Sequence, residues 1–123
     1  MGEYYSMDKY MQRDTIRMAL AAAQSIPADK LATLVKTWLE VLADFEPAKR
    51  DAMFRAYCKE IKDNPSSMRG LDLNLLTDSY LSLPQIKRNI IADSLHEVLL
   101  SIPEPQKILQ LAPTYSLEAL GLK

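Results

Sequence analysis

The chain has 123 residues, of which 48% are hydrophobic and 25% charged, and its formal net charge at pH 7 is -1. This composition is typical of a globular domain and excludes an intrinsically disordered chain, which combines low hydrophobicity with high net charge. The small net charge gives no general attraction to nucleic acid or to membranes, so nucleic acid is not an expected partner.

One cysteine, Cys58, precludes an internal disulfide and favours a reducing compartment, so we expect a cytoplasmic protein. The longest uninterrupted apolar run covers residues 18–23, far short of the roughly 20 residues that a membrane span requires. We therefore expect a single helical domain over residues 1–123, with no membrane span.

Helix-forming residues are plentiful, glycines number only three, and seven prolines mark helix ends. The pattern predicts an all-α fold, a compact bundle of five to six helices. The predicted helices cover residues 7–24, 27–45, 47–63, 71–81, 84–102 and 105–112, and one more turn is expected at 117–120.

The helix over residues 27–45 has the clearest apolar stripe in the sequence. Its apolar residues recur at spacings of three and four, as expected for a helix face that packs against a core. These residues are Leu31, Leu34, Val35, Trp38, Val41, Leu42 and Phe45.

A second copy of this pattern lies 57 residues further along the chain. Ser25-Ile26-Pro27 matches Ser82-Leu83-Pro84, and Glu40-Val41-Leu42 matches Glu97-Val98-Leu99. We interpret this as an internal duplication of a three-helix unit, with units at 7–63 and 71–120 and a linker at 64–70. The alternative is chance, since any two amphipathic helices share a period. The Ser-X-Pro turn occurs a third time at residues 101–103, which suggests tight corners between neighbouring helices.

Residues suited to catalysis or metal binding do not form a recognisable set. His96 has Asp93 one helical turn before it, which is half of a carboxylate metal site, but the chain has no second histidine. We expect His96 to be a partly exposed helix residue and Cys58 to be a buried, inert thiol.

Carboxylate pairs such as Asp44 with Glu46, or Asp72 with Asp78, are not distinguished from ordinary surface charges. The sequence therefore predicts neither an enzyme nor a cofactor.

Basic residues cluster between positions 49 and 69. Arg55, Lys59 and Lys62 recur at helical spacing, and Arg69 follows them. This face is a candidate for contact with an anion or nucleic acid. The alternative is a solvated face whose charges are balanced by three nearby acidic residues, Asp51, Glu60 and Asp63.

The amino terminus is rich in tyrosine and methionine. These residue types are common where proteins meet, and they also close the end of a core. The candidate interface residues are Tyr4, Tyr5, Met7, Tyr10 and Met11.

The preferred hypothesis for function is a non-catalytic domain for protein–protein interaction, an adaptor or assembly factor that also self-associates as a homodimer through an apolar helix face. A second hypothesis is a sensor or carrier that holds a small apolar molecule in a pocket between the two repeats. Binding of an anion or nucleic acid through the basic face is a weaker third alternative, and catalysis by carboxylates ranks last.

Overall fold

The computed structural model describes residues 15–123, and within that range every regular element is a helix. The all-α fold class is confirmed. In chain order the helices are α1, whose described part covers residues 15–23, α2 (Ala28–Ala43), α3 (Pro47–Asp63), a 3₁₀ helix (Pro65–Met68), α4 (Leu73–Leu81), α5 (Gln85–Ser101), α6 (Gln106–Leu109) and α7 (Thr114–Ala119).

The described residues therefore contain seven α-helices where five to six were predicted. The helix predicted at 105–112 is only the single turn of α6, and the turn predicted at 117–120 is part of α7. Pro113 separates the two helices, because a proline disfavours helical geometry in the residue before it. The predicted linker at 64–70 also contains a 3₁₀ helix.

The Ser-X-Pro turns share one hydrogen-bonding pattern. The Oγ atoms of Ser25, Ser82 and Ser101 each donate to the carbonyl oxygen three residues earlier, at 2.9, 2.6 and 2.9 Å. In the first two turns the proline then immediately precedes a helix, α2 or α5. Each serine thus satisfies a carbonyl at the end of one helix before the next begins.

Helix α4 begins at a side-chain cap, whereas the sequence predicted a start two residues earlier. Asp72 Oδ1 accepts hydrogen bonds from the backbone N–H groups of Asn74 and Leu75, both at 3.1 Å. An aspartate in this position satisfies N–H groups that have no partner within the helix.

Helix α2 packs against α4 and α5, α3 packs against α5 and α6, and α4 packs against α7. These contacts enclose a cluster of buried residues that we call the packed core. It consists of Leu39, Leu42, Ala43, Phe54, Cys58, Tyr80, Leu83, Ile91 and Val98. Cys58 is buried, as predicted.

The apolar stripe predicted on α2 is partly wrong. Leu34 and Val41 are 54% and 48% exposed, whereas Leu39, which lies outside the predicted stripe, is buried. Packing of α2 against both α4 and α5 turns the Leu39 side of the helix inward. Apolar periodicity alone did not distinguish these adjacent sides.

The internal duplication stays a prediction. Helices α2 and α5 begin 57 residues apart, at Ala28 and Gln85. Residues at matching positions are not buried alike, since Val41 is exposed and its counterpart Val98 is completely buried.

Arg50 is a buried cation, which its sequence context did not predict. Its Nη1 atom donates to the carbonyl oxygens of Leu42, Ala43 and Phe45, at 3.4, 3.3 and 2.8 Å. These carbonyls lie at the end of α2 and just beyond it, where the helix dipole favours a positive charge. Arg50 therefore joins the start of α3 to the end of α2.

Among the helices of residues 15–123, none combines the length and apolar character needed to cross a bilayer.

Candidate functional site

An apolar cavity of about 530 Å³ lies beside the packed core. Its wall includes residues from α1, α2, α3, α4, α5, α6 and α7, and therefore from both of the predicted three-helix units. The described residues that line it are aliphatic, aromatic or hydroxyl-bearing, apart from the thioether of Met68, and none of them carries a charge. Four residues, Leu39, Phe54, Tyr80 and Ile91, belong to both the packed core and the cavity wall.

Three aromatic rings form one side of the cavity. The Trp38 ring of α2 lies 5.0 Å from the Tyr57 ring and 6.2 Å from the Phe54 ring, measured between centroids, and meets the Phe54 ring edge to face. Both partners lie on α3, so Trp38 connects the two helices across the wall. Burial raises the pKa of the Tyr57 hydroxyl, consistent with its place in an apolar wall.

Solvent reaches the wall mainly beside α1 and α2. Ala19, Ala22 and Leu34 line the cavity and are exposed, whereas Leu20 and Leu31 line it and are buried. The small side chains on α1 leave room that a larger residue would occupy. We place the mouth of the cavity beside these exposed residues.

A pair of aliphatic hydroxyl groups is one buried polar feature of the cavity wall. Thr77 of α4 and Ser116 of α7 are 7% and 8% exposed. Their Oγ1 and Oγ atoms are 2.6 Å apart, and Thr77 Oγ1 also donates to the carbonyl oxygen of Leu73 at 2.7 Å. The pair fastens α7 to α4 inside an otherwise apolar surface.

Ser116 and Leu120 form the part of the lining that we call the carboxyl-terminal wall. Two further contacts hold this segment against α4 and α5. His96 Nε2 lies 2.8 Å from the carbonyl oxygen of Leu120, a residue that lines the cavity. The Tyr115 hydroxyl donates to Asp78, and this hydrogen bond raises the tyrosine pKa. His96 is half-buried and has a defined partner, although its sequence gave no indication of one.

Two of the four predicted basic residues contact the corner after α5. Arg55 Nε and Nη2 each lie 3.4 Å from Ser101 Oγ, and Lys62 Nζ donates to the Pro103 carbonyl oxygen at 3.1 Å. Lys59 and Arg69 are exposed. The structure thus places Arg55 and Lys62 beside one corner. An anion-binding role for the four residues stays a prediction.

Two of the acidic residues near this basic face, Asp51 and Glu60, form hydrogen bonds with other side chains of the protein. Glu60 is completely buried, and its Oε1 atom accepts hydrogen bonds from Arg17 at 2.9 Å and from Asn64 at 3.0 Å. Asp51 accepts a hydrogen bond from Ser94. These buried contacts could not be predicted from the sequence, because a charged residue on an amphipathic helix is ordinarily expected to face solvent.

The thiol of Cys58 is held in its neutral form by its surroundings. Burial raises its pKa to about 11 from an ordinary value of 9.0. A thiol of this kind is a poor nucleophile at neutral pH, because only the thiolate reacts.

The candidate interface residues Tyr4, Tyr5, Met7, Tyr10 and Met11 lie outside the described residues. Within residues 15–123, no three histidine, cysteine, aspartate or glutamate side chains are grouped as metal ligands would be.

We found no match to this chain among protein-family models, curated proteins or solved structures.

Proposed function

We propose that the protein binds a small, neutral, predominantly apolar molecule in the cavity that the helices α1 to α7 line, as a non-catalytic sensor or carrier. The observation that carries this proposal is the cavity itself, about 530 Å³ in volume and without a charged residue among the described residues that line it. Pockets for small molecules usually measure roughly 300–1,000 Å³ and have mainly hydrophobic and aromatic walls.

The driving force for binding would be removal of apolar surface from water. This contributes roughly 25 cal/mol for each Å² of apolar surface buried. A charged ligand would lose its hydration without gaining an ionic partner in this wall, so the wall favours neutral molecules.

The position of the cavity connects binding to the whole fold. Its wall joins Leu31 and Trp38 of α2 to Leu76 of α4 and Leu120 near the carboxyl terminus. A molecule bound in contact with these helices would stabilise the folded state. Once its concentration exceeds its Kd, the stabilisation grows with the logarithm of the ratio of concentration to Kd. Such coupling is what a ligand sensor requires.

Trp38 provides a direct test, because it is the single tryptophan of the chain and it lines the cavity. We would titrate the full-length protein with the neutral fluorophore N-phenyl-1-naphthylamine and follow both quenching of Trp38 and emission of the probe. Saturable binding at one probe per chain is the expected result. The absence of saturable binding would overturn the proposal.

Filling the cavity provides the matched control. Ala23→Phe and Ala112→Phe each add a ring at a lining position and should weaken probe binding at least tenfold. Ala48→Phe adds the same ring at an exposed position on α3 that does not line the cavity, so its affinity should equal that of the wild type. Equal weakening by all three variants would show that the probe binds elsewhere.

Exposed apolar residues on α2 favour a second candidate function, self-association as part of a protein-interaction role. Leu34 and Val41 lie seven residues apart, and therefore on one side of the helix, and both are substantially exposed. A second copy of this chain could cover both residues with the same side of its own α2.

Light scattering across a concentration series tests this second function. A dimer that becomes a monomer on Leu34→Lys with Val41→Lys, but not on the exposed control Thr37→Lys, would support it. A wild-type monomer at the highest concentration would overturn self-association through α2.

A further inference from the structure

The hydrogen bonds of the hydroxyl pair in the cavity wall constrain where its two protons lie. A hydroxyl has one proton to donate and two lone pairs that accept. Thr77 Oγ1 donates its proton to the carbonyl oxygen of Leu73, at 2.7 Å. For the 2.6 Å contact between the two hydroxyls to be a hydrogen bond at the same time, Ser116 must donate to Thr77.

This arrangement leaves Ser116 Oγ as an acceptor. Its proton is directed to Thr77, so its lone pairs are what it offers to a molecule in the cavity. Ser116 is buried and lines the cavity, and a polar group in such surroundings has a large effect on ligand choice.

We propose that the cavity selects a neutral alcohol, a molecule with an apolar body and one hydroxyl group that donates to Ser116 Oγ. This inference rests on the proposed function and specifies the chemical class of its ligand. A ketone or an ether would place a second acceptor against Ser116 and leave both unpaired. A carboxylate or an ammonium group would find no opposite charge among the lining residues of the 15–123 range.

Three probes of similar length test this selection: 1-dodecanol, its methyl ether and dodecanoate, each titrated by its displacement of N-phenyl-1-naphthylamine from the full-length protein. The alcohol should bind about tenfold more tightly than the ether, which corresponds to one additional hydrogen bond. Dodecanoate at neutral pH should bind more weakly than the alcohol.

Variants of the pair assign the preference to individual atoms. Ser116→Ala removes the acceptor and should reduce the alcohol-to-ether ratio to about one. Thr77→Val removes the partner of the Ser116 proton, so Ser116 can then donate to the ether oxygen and the ratio should fall or reverse. Tyr57→Phe removes another hydroxyl of the lining and should leave the ratio unchanged.

The outcomes separate this inference from the proposed function. If none of the three probes binds, the cavity function itself fails. If alcohol and ether bind equally to the wild type, or if the preference survives Ser116→Ala, the cavity function stands and the alcohol class is wrong. A preference abolished by Tyr57→Phe would also overturn the assignment to Ser116. Circular dichroism of each variant establishes that it is folded, and Thr77→Val provides an independent test if Ser116→Ala does not fold.

Discussion

The two halves of α2 face different interiors. In the first half, Leu31, Leu34 and Val35 line the cavity, whereas Leu42 and Ala43 at the end of the second half belong to the packed core and do not line the cavity. Both halves have apolar residues at helical spacing, so their sequences predict the same kind of burial. Periodicity thus indicates which residues avoid water, but not whether they meet other side chains or a cavity.

Leucines from these two halves provide the most sensitive test of that difference. Leu42→Ala should lower the free energy of unfolding by about 2–5 kcal/mol, because Leu42 is 1% exposed and its neighbours close only partly around the deletion. Leu34→Ala, the same deletion on the same helix, should lower it by less than about 1 kcal/mol because Leu34 is already half exposed. Urea denaturation measures both. Equal losses would show that the two halves do not differ in packing.

Two arginines on α3 test whether the buried cation Arg50 stabilises the fold through its contacts with the end of α2. Arg50→Met should lower the free energy of unfolding by about 2–3 kcal/mol, because it leaves carbonyls at the end of α2 without their charged donor. Arg55→Met is the matched control and should change it by no more than about 0.5 kcal/mol, since Arg55 is exposed and its contacts with Ser101 are long. The same denaturation experiment compares them. A loss for Arg50→Met no larger than for Arg55→Met would contradict the capping role.

Cys58 tests how well the packed core excludes water. The folded protein holds the thiol proton more tightly than the unfolded chain, since burial raises the pKa from 9.0 to about 11. The thiol's contribution to stability is therefore fully present below about pH 9 and is lost as the pH rises to about 11. At about 1.4 kcal/mol for each unit of pKa difference, the complete loss over these two units is about 3 kcal/mol.

Because tyrosines and lysines titrate in the same range, Cys58→Ala provides the reference curve. The wild type should lose stability more steeply than the variant between pH 9 and 11, as measured by denaturation at each pH. Parallel curves would show that the thiol is not held in a water-excluding environment.

Much of the fold was predictable because it depends on neighbouring residues in the sequence. Helices α2 and α5 begin within a residue of the expected positions, since prolines and Ser-X-Pro turns act locally. An apolar pocket was among the hypotheses, but the residues that line the cavity and the partners of Arg50 and His96 were not predicted. They depend on how helices distant in sequence are placed against one another, and a single sequence contains no direct signal of that placement.

The smallest expected effect concerns His96, where the packed helix α5 meets the carboxyl-terminal wall of the cavity. Its hydrogen bond to the Leu120 carbonyl oxygen positions a lining residue, so His96→Ala should lower the free energy of unfolding by about 1 kcal/mol and weaken binding of the cavity probe severalfold. Glu97→Ala, at the exposed neighbouring position, should change neither quantity. His96→Gln, which keeps an N–H donor, should recover part of both. If His96→Ala and Glu97→Ala behaved alike, the carboxyl-terminal wall would be held without His96, and the histidine would be the ordinary surface residue that its sequence context predicted.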